Sequence, residues 1–170
     1  QNKGLKKIRS FIRGRGRKTE FELALLDAYN VFLSQALKVE ERIKEEDFGG
    51  LYAEIEAKRQ FAHGDYQYHN VLFGKEQAAV INFEKCQWDS RVRDVALFMR
   101  KTLEKADWDV TLGAKLLGEY EAVNPLSDSE KRQLFYRLAY PEKFRKIANF
   151  YYNSNKAFLS GQYMAKLENI

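Results

Sequence analysis

Apolar residues recur at helical spacing through most of the chain. Leu5, Ile8 and Ile12 share one face, with Phe11 beside them, which predicts a first helix. Thr19-Glu20-Phe21-Glu22 is a capping box: the Thr19 hydroxyl accepts from the Glu22 amide while the Glu22 carboxylate returns to the Thr19 amide. A long helix is expected from there, with Phe21, Leu25, Tyr29, Phe32 and Leu37 as its stripe. It runs into VEERIKEED, and Gly49-Gly50 is expected to break the chain. LYAEIEAKR, residues 51–59, predicts one more short helix. The character then changes. QFAHGDYQYHNVLFGKEQAAVINFE holds two short apolar runs, VLF and AAVINF, joined by the turn-like GKEQ, which predicts a β-hairpin preceded by a loop.

The helical period returns after Ser90. Val92, Val95, Ala96, Met99 and Leu103 form a stripe to about Lys105, and Leu112, Leu116 and Tyr120 mark another helix that ends before Asn124-Pro125. Ser127-x-x-Glu130 is a second capping box, opening a helix with Leu134, Phe135 and Leu138. Pro141 suits the first turn of the next helix, where its missing N–H would be unpaired anyway. A short final helix is expected at residues 162–168. The outline is a mostly α domain, roughly four to six helices around one central hairpin, without an internal repeat.

Composition narrows this picture. At 170 residues, one domain is expected and two independent cores are not. Only 2 residues are proline, which favours long helices over an all-β architecture, and the 45% of hydrophobic residues excludes a disordered polymer. The single cysteine, Cys86, excludes an intramolecular disulfide and a cysteine-based zinc site. His63 and His69, with Cys86 as the one other His or Cys, are too few for a four-ligand site. No run is apolar for the ~20 residues of a membrane span, and the start lacks the apolar core of a signal peptide, so a soluble mature chain is expected.

Charge is distributed unevenly. The chain has 29 Lys and Arg against 24 Asp and Glu, a net +5. Residues 1–18 hold Lys3, Lys6, Lys7, Arg9, Arg13, Arg15, Arg17 and Lys18 and no acid, which makes that segment +8 and leaves the remainder, 21 bases and 24 acids, at −3. The organisation expected is a basic arm or first helix over 1–18 and one folded lobe over 19–170. Such an arm suits nucleic acid or an anionic surface, or is the solvated face of a helix whose other side is core. The solvated face is the expectation adopted here. Trp88, Trp108 and the tyrosines of YYNS are expected in core or groove packing rather than as base-stacking platforms.

Candidate chemistry lies in His63-Gly64-Asp65-Tyr66-Gln67-Tyr68-His69-Asn70, between the candidate strands. Asp65 and Asn70 stand five residues apart in a loop. Kinase-type phosphotransferases need this pairing: a carboxylate to orient and deprotonate the acceptor hydroxyl, and an amide oxygen to ligate Mg²⁺ beside it. His63 would brace the loop and Gly64 would permit its tight turn. The second strand should then deliver the main metal ligand as the aspartate of a D-F-x triplet. The sequence has Ile81-Asn82-Phe83-Glu84 instead. An asparagine keeps one oxygen and loses the charge, so impaired metal binding is expected, with Glu84 and Asp89 as the nearby acids that could substitute. No phosphate loop is found: in Gly14-Arg15-Gly16-Arg17-Lys18-Thr19, Thr replaces the third glycine of G-x-G-x-x-G, and Arg17 replaces the glycine a P-loop needs before Lys-Thr.

HGDYQYHNVLF, VINFEKC, RVRDVALFMRKTLEKADWD and YPEKFRKIANFYYNSNKAF resemble the C-terminal part of CotS-type spore-coat proteins, in the aminoglycoside-phosphotransferase-like branch of the protein-kinase-like fold. The resemblance runs from about Lys6 to Leu167. It implies a mainly α fold with a small central β-hairpin, the C-lobe of a protein-kinase-like fold, with no N-lobe in this chain. By that likeness Asp65 matches the catalytic aspartate, Asn70 the secondary Mg²⁺ ligand and Asn82 the main metal position. Asp94, with His63, matches the residues that brace the loop, while Leu72 and Ile81 match the apolar floor under adenine.

Three functions are weighed. The favoured one is a degenerate kinase-like C-lobe serving as a spore-coat or interaction module. The others are an ATP-dependent phosphotransferase using Mg²⁺ and ATP once an N-lobe completes it, and a nucleic-acid-binding module. The partners expected are spore-coat proteins, a missing N-lobe or a second copy, with nucleic acid the least favoured. The locations expected are cytoplasm or spore coat. Asp65, Asn70 and Asn82 should converge on one cleft, and Leu72 should be exposed near Asp65 with Ile81 and Phe73.

Overall fold

The structure, a computed structural model, describes residues 2–154 and 161–170. The NKAF of the last resembling segment lies outside the described residues. Eight α-helices occur among those described, more than the four to six expected: α1 (Asn2–Arg13), α2 (Glu20–Glu45), α3 (Gly49–Ala57), α4 (Val92–Leu103), α5 (Val110–Val123), α6 (Asp128–Ala139), α7 (Glu142–Asn153) and α8 (Gly161–Glu168). Two antiparallel pairs accompany them. β2 (Val71–Phe73) and β3 (Ala78–Val80) form the expected hairpin, while β1 (Phe61–Ala62) pairs with β4 (Gln87–Trp88). Two-residue strands carry no periodic signal, so this second ribbon was not foreseen.

The helix break before α3 also differs from expectation. It falls at residues 46–48, and Gly49 and Gly50 form the first turn of α3, because the Asp47 Oδ1 accepts from the Gly49 amide at 2.9 Å and starts the helix there. Pro141 stands immediately before α7 rather than within its first turn.

The chain divides into two compact units, Gln1–Glu45 with Ala139–Ile170, and Glu46–Leu138. Buried apolar side chains likewise form two clusters where a single core was expected. In the first unit, α1 spends Leu5, Ile8 and Ile12 on the core and keeps its charges outside, so the basic segment is a packed helix through Arg13. The buried seam of α2 follows Phe21, Leu25 and Tyr29 as expected and continues through Leu33, Ala36 and Val39, with Phe32 and Leu37 partly buried against the same core. That path stays on one face of a 3.6-residue repeat. Phe144 of α7 meets Tyr29 edge-on at 4.8 Å and stacks on Phe32 at 5.1 Å.

In the second unit, Val92, Val95, Ala96, Met99 and Leu103 of α4 pack with Leu126 and Leu134, as their spacing predicts. Phe135, expected beside Leu134, is exposed. Trp88 and Trp108 are exposed as well; Trp88 lies on the β1–β4 ribbon with its ring edge-on to Phe61, so it is not core. Both capping boxes form. Thr19 N–H donates to Glu22 Oε2 at 2.7 Å, and Ser127 N–H donates to Glu130 Oε2 at 2.9 Å.

Glu22 does more than cap α2. Its carboxylate is buried, receives Arg15 Nε at 3.1 Å and accepts the Tyr151 hydroxyl from α7. Burial pushes this carboxyl up, but Tyr151, the Thr19 amide and Arg15 outweigh it and hold the pKa below its ordinary 4.5. Glu22→Ala should destabilise the chain by about 2–4 kcal/mol in urea unfolding, since it removes a cap and strands a core hydroxyl. A carboxyl lowered in the folded state gives its full stabilisation above the unfolded pKa and loses it as pH falls through the folded one. The wild-type advantage over Glu22→Ala should therefore shrink on acidification below 4.5.

Candidate active site

The loop after β1 is held by one carboxylate. Asp94, in the first turn of α4, accepts His63 N–H at 2.6 Å on Oδ2 and Gly64 N–H at 2.9 Å on Oδ1. A carboxylate there also suits the positive end of the helix dipole. His63 is buried and fixed from both sides of its ring. Asp65 N–H donates to Nδ1 at 3.2 Å, so Nε2 carries the proton it shares with the Ile81 carbonyl at 2.8 Å. The imidazole thus ties the loop to the end of the hairpin and has no free nitrogen for proton transfer.

Gly64 must be glycine. Its φ is +78°, and a Cβ there would lie 2.2 Å from the Lys85 carbonyl oxygen. This close approach lays the segment after β3 across the loop. Asn82 begins that segment in the left-handed region, φ +66° and ψ +64°, which asparagine tolerates better than most residues.

The three residues expected to converge do so. Asn70 is buried, donates Nδ2 to the Asp65 carbonyl at 2.8 Å, and accepts Asn82 Nδ2 on its Oδ1 at 2.8 Å. Asp65 is partly exposed, and both of its carboxylate oxygens are taken: Gln67 Nε2 reaches Oδ1 and Lys85 Nζ reaches Oδ2, each at 2.8 Å. The Lys85 ammonium holds the Asp65 carboxyl below its ordinary value against the opposing effect of burial. Neither Lys85 nor Gln67 was singled out in the sequence. Gln67 reaches Asp65 from two residues on in the same loop, whereas Lys85 is brought to it by the backbone approach at Gly64.

Leu72 and Ile81 are 51% and 36% exposed. Val71 pairs with Val80 and Leu72 with Ala79, and Ile81 N–H bonds the Asn70 carbonyl, so Leu72 and Ile81 stand on one face of the hairpin. Phe73, expected with them, is exposed but alternates to the other face. Asp89 is committed elsewhere: it receives Arg93 at 3.0 Å and Arg137 at 3.2 Å. Glu84 is exposed in the turn Phe83–Lys85 and makes no ion pair or hydrogen bond to the site among the described residues.

A divalent cation bridging phosphates does not fit this donor set. Such ions are held by carboxylates, whereas here two neutral amides bond each other and the one carboxylate is satisfied by an ammonium and an amide. Among the described residues no group of three or more His, Cys, Asp or Glu could hold a metal ion.

A loop braced from a helix N-terminus, an Asp and Asn five residues apart, and a following hairpin define the C-lobe of an aminoglycoside-phosphotransferase-like, kinase-like fold. The crystal structure of an aminoglycoside phosphotransferase from Alicyclobacillus acidocaldarius subsp. acidocaldarius DSM 446 matches with a TM-score of 0.77 at 22% identity, over 98% of this chain and 50% of that one. The chain spans half the length of that relative. Residues 52–170 match the family described as "Spore coat putative kinase YutH", and the chain belongs to that family. The spore-coat, phosphotransferase-like resemblance read from the sequence therefore holds.

Two substitutions probe the site. Gly64→Ala should destabilise the chain by about 2 kcal/mol or more, because it combines a strained φ with a backbone clash; chemical denaturation reads it. Lys85→Met should raise the Asp65 pKa toward its ordinary 3.8 in a carboxyl ¹³C NMR titration.

Proposed function

We propose that this chain is a degenerate kinase-like C-lobe that serves as a spore-coat interaction module, with its Mg-nucleotide chemistry impaired. One observation carries the reading: Asn82 stands where the charged metal ligand is expected and gives its amide to Asn70 Oδ1. Phosphoryl transfer relies almost wholly on positioning and charge neutralisation, so a neutral residue there removes what the reaction most needs. In this reading Asp65, Asn70 and Asn82 are the remnant of a catalytic and metal site, and His63 and Asp94 brace its loop. Leu72 and Ile81 are an apolar floor open to a partner. The partners are other coat proteins, a further lobe or a second copy, and the location is the spore coat.

A second reading is supported by the retained Asp65–Asn70–Asp94 frame. There, a completing N-lobe would let the protein pass phosphate from ATP to a hydroxyl of a small molecule or protein. Binding nucleic acid through residues 1–18 has weaker support, since that helix presents no exposed aromatic side chain.

The chain should show no Mg²⁺-dependent ATP turnover above that of Asp65→Ala prepared alongside. Turnover abolished by Asp65→Ala would establish the second reading instead. Under the proposed reading Asn82→Asp should strengthen Mg²⁺-nucleotide binding in calorimetry; unchanged binding would mean that another group already takes the metal.

A further inference from the structure

A cavity of about 440 Å³ in the second unit is lined by none of the residues of the Asp65 site, and its volume is in the range of ligand pockets. Three cations line it, and two of them are spent. Lys58 is paired with Glu54, while Arg91 is held by Glu130 at 2.7 Å, by the Pro125 carbonyl at 2.7 Å and by Asn124. The third, Arg59, is exposed, and its guanidinium makes no ion pair or side-chain hydrogen bond among the described residues.

Arg59 also occupies a position that favours another residue. α3 ends in a Schellman motif, in which the Arg59 N–H donates to the Glu56 carbonyl at 3.1 Å and the Gln60 N–H to the Ile55 carbonyl at 2.9 Å. The motif holds Arg59 at φ +48°, in the left-handed region where glycine is the usual residue and a side chain carries strain. No polar bond of the Arg59 side chain among the described residues offsets that strain. Backbone strain kept without a structural return points to function.

Apolar surface adjoins the free cation. Phe61 lines the cavity, and the β1–β4 register sets it opposite Trp88, so the two rings share one face of the ribbon and stand edge-on at 6.3 Å. They are 58% and 68% exposed. Arginine and aromatic residues are the side chains that protein interfaces favour.

These groups define the occupant. One free guanidinium matches one carboxylate, which arginine binds in a two-pronged geometry. Nucleic acid would call for many such cations. Trp88 is not part of the lining, so an occupant that meets both Arg59 and Trp88 extends past the cavity along the ribbon, as a polypeptide does and a compact metabolite does not.

We propose that this cavity and the Phe61–Trp88 pair form a docking site for a segment of a partner protein in which an acidic residue adjoins an aromatic one. The carboxylate pairs with Arg59, and the aromatic ring packs on Phe61 and Trp88. The site is separate from the Asp65 loop and does not depend on whether that loop has lost its metal.

The test uses the whole chain, ¹⁵N-labelled, and follows the Arg59 Nε–H and Trp88 indole N–H signals as a synthetic GSEFGS peptide is added. Both signals should shift and saturate together. GSQFGS, which lacks the carboxylate, and GSEAGS, which lacks the ring, should each bind at least about fivefold more weakly. Arg59→Gly should lose affinity for GSEFGS to the same extent while its thermal midpoint stays level or rises, because glycine relieves the left-handed strain. Lys115→Gln, an equal loss of charge on α5, should bind as the wild type does. A lowered midpoint in Arg59→Gly would make Arg59 a residue of the fold and overturn the proposal. Shifts that do not saturate, undiminished binding of GSQFGS or GSEAGS, undiminished binding by Arg59→Gly, or an equal loss in Lys115→Gln would overturn it too. Displacement of GSEFGS by inorganic phosphate at lower concentration than the peptide itself requires would also overturn it, by assigning the site to phosphates.

Discussion

The site depends on a single carboxylate at the start of α4. Asp94 takes the amides of His63 and Gly64 together, and everything downstream follows from the loop being fixed there. With the loop fixed, His63 reaches the Ile81 carbonyl and anchors the far end of the hairpin. Asn70 then closes the loop on the Asp65 carbonyl, and Asn82 arrives beside it. No part of this requires a bound ion: amides, carbonyls and one imidazole satisfy each other. The frame of a phosphotransferase loop is therefore a self-consistent structural element in its own right.

That self-sufficiency is what links the geometry to the proposed role. In a working site, the groups facing the cleft are left electrically unbalanced so that a cation and phosphates complete them. Here the imbalance is removed twice. In the proposed reading Asn82 stands where a charge is expected and bonds Asn70 through its amide, and Lys85 neutralises Asp65 from within the chain. Leu72 and Ile81 remain exposed on one hairpin face. An exposed apolar pair beside a satisfied polar site is what the proposed interaction role requires.

Short-range signals in the sequence specify their elements directly. Thr19 with Glu22 and Ser127 with Glu130 form their reciprocal bonds, since a capping box needs only three residues of helix to exist. The hairpin and the convergence of Asp65, Asn70 and Asn82 were legible because the loop and strands lie close in sequence. What escaped depends on backbone geometry or long range. The β1–β4 ribbon joins two-residue strands 26 positions apart. Lys85 meets Asp65 only because Gly64 adopts a positive φ and Asn82 turns left-handed. Two clusters rather than one core reflect which helices bundle, a choice that helical periodicity alone does not encode.

In the proposed reading the Asn70–Asn82 pair is closed to a divalent cation. Titrating Mn²⁺ into the chain while following the side-chain NH₂ resonances of Asn70 and Asn82 by NMR tests it most directly. No selective broadening of these two signals relative to surface amides is expected. Selective broadening of both at substoichiometric Mn²⁺ would show a competent metal site and contradict the account.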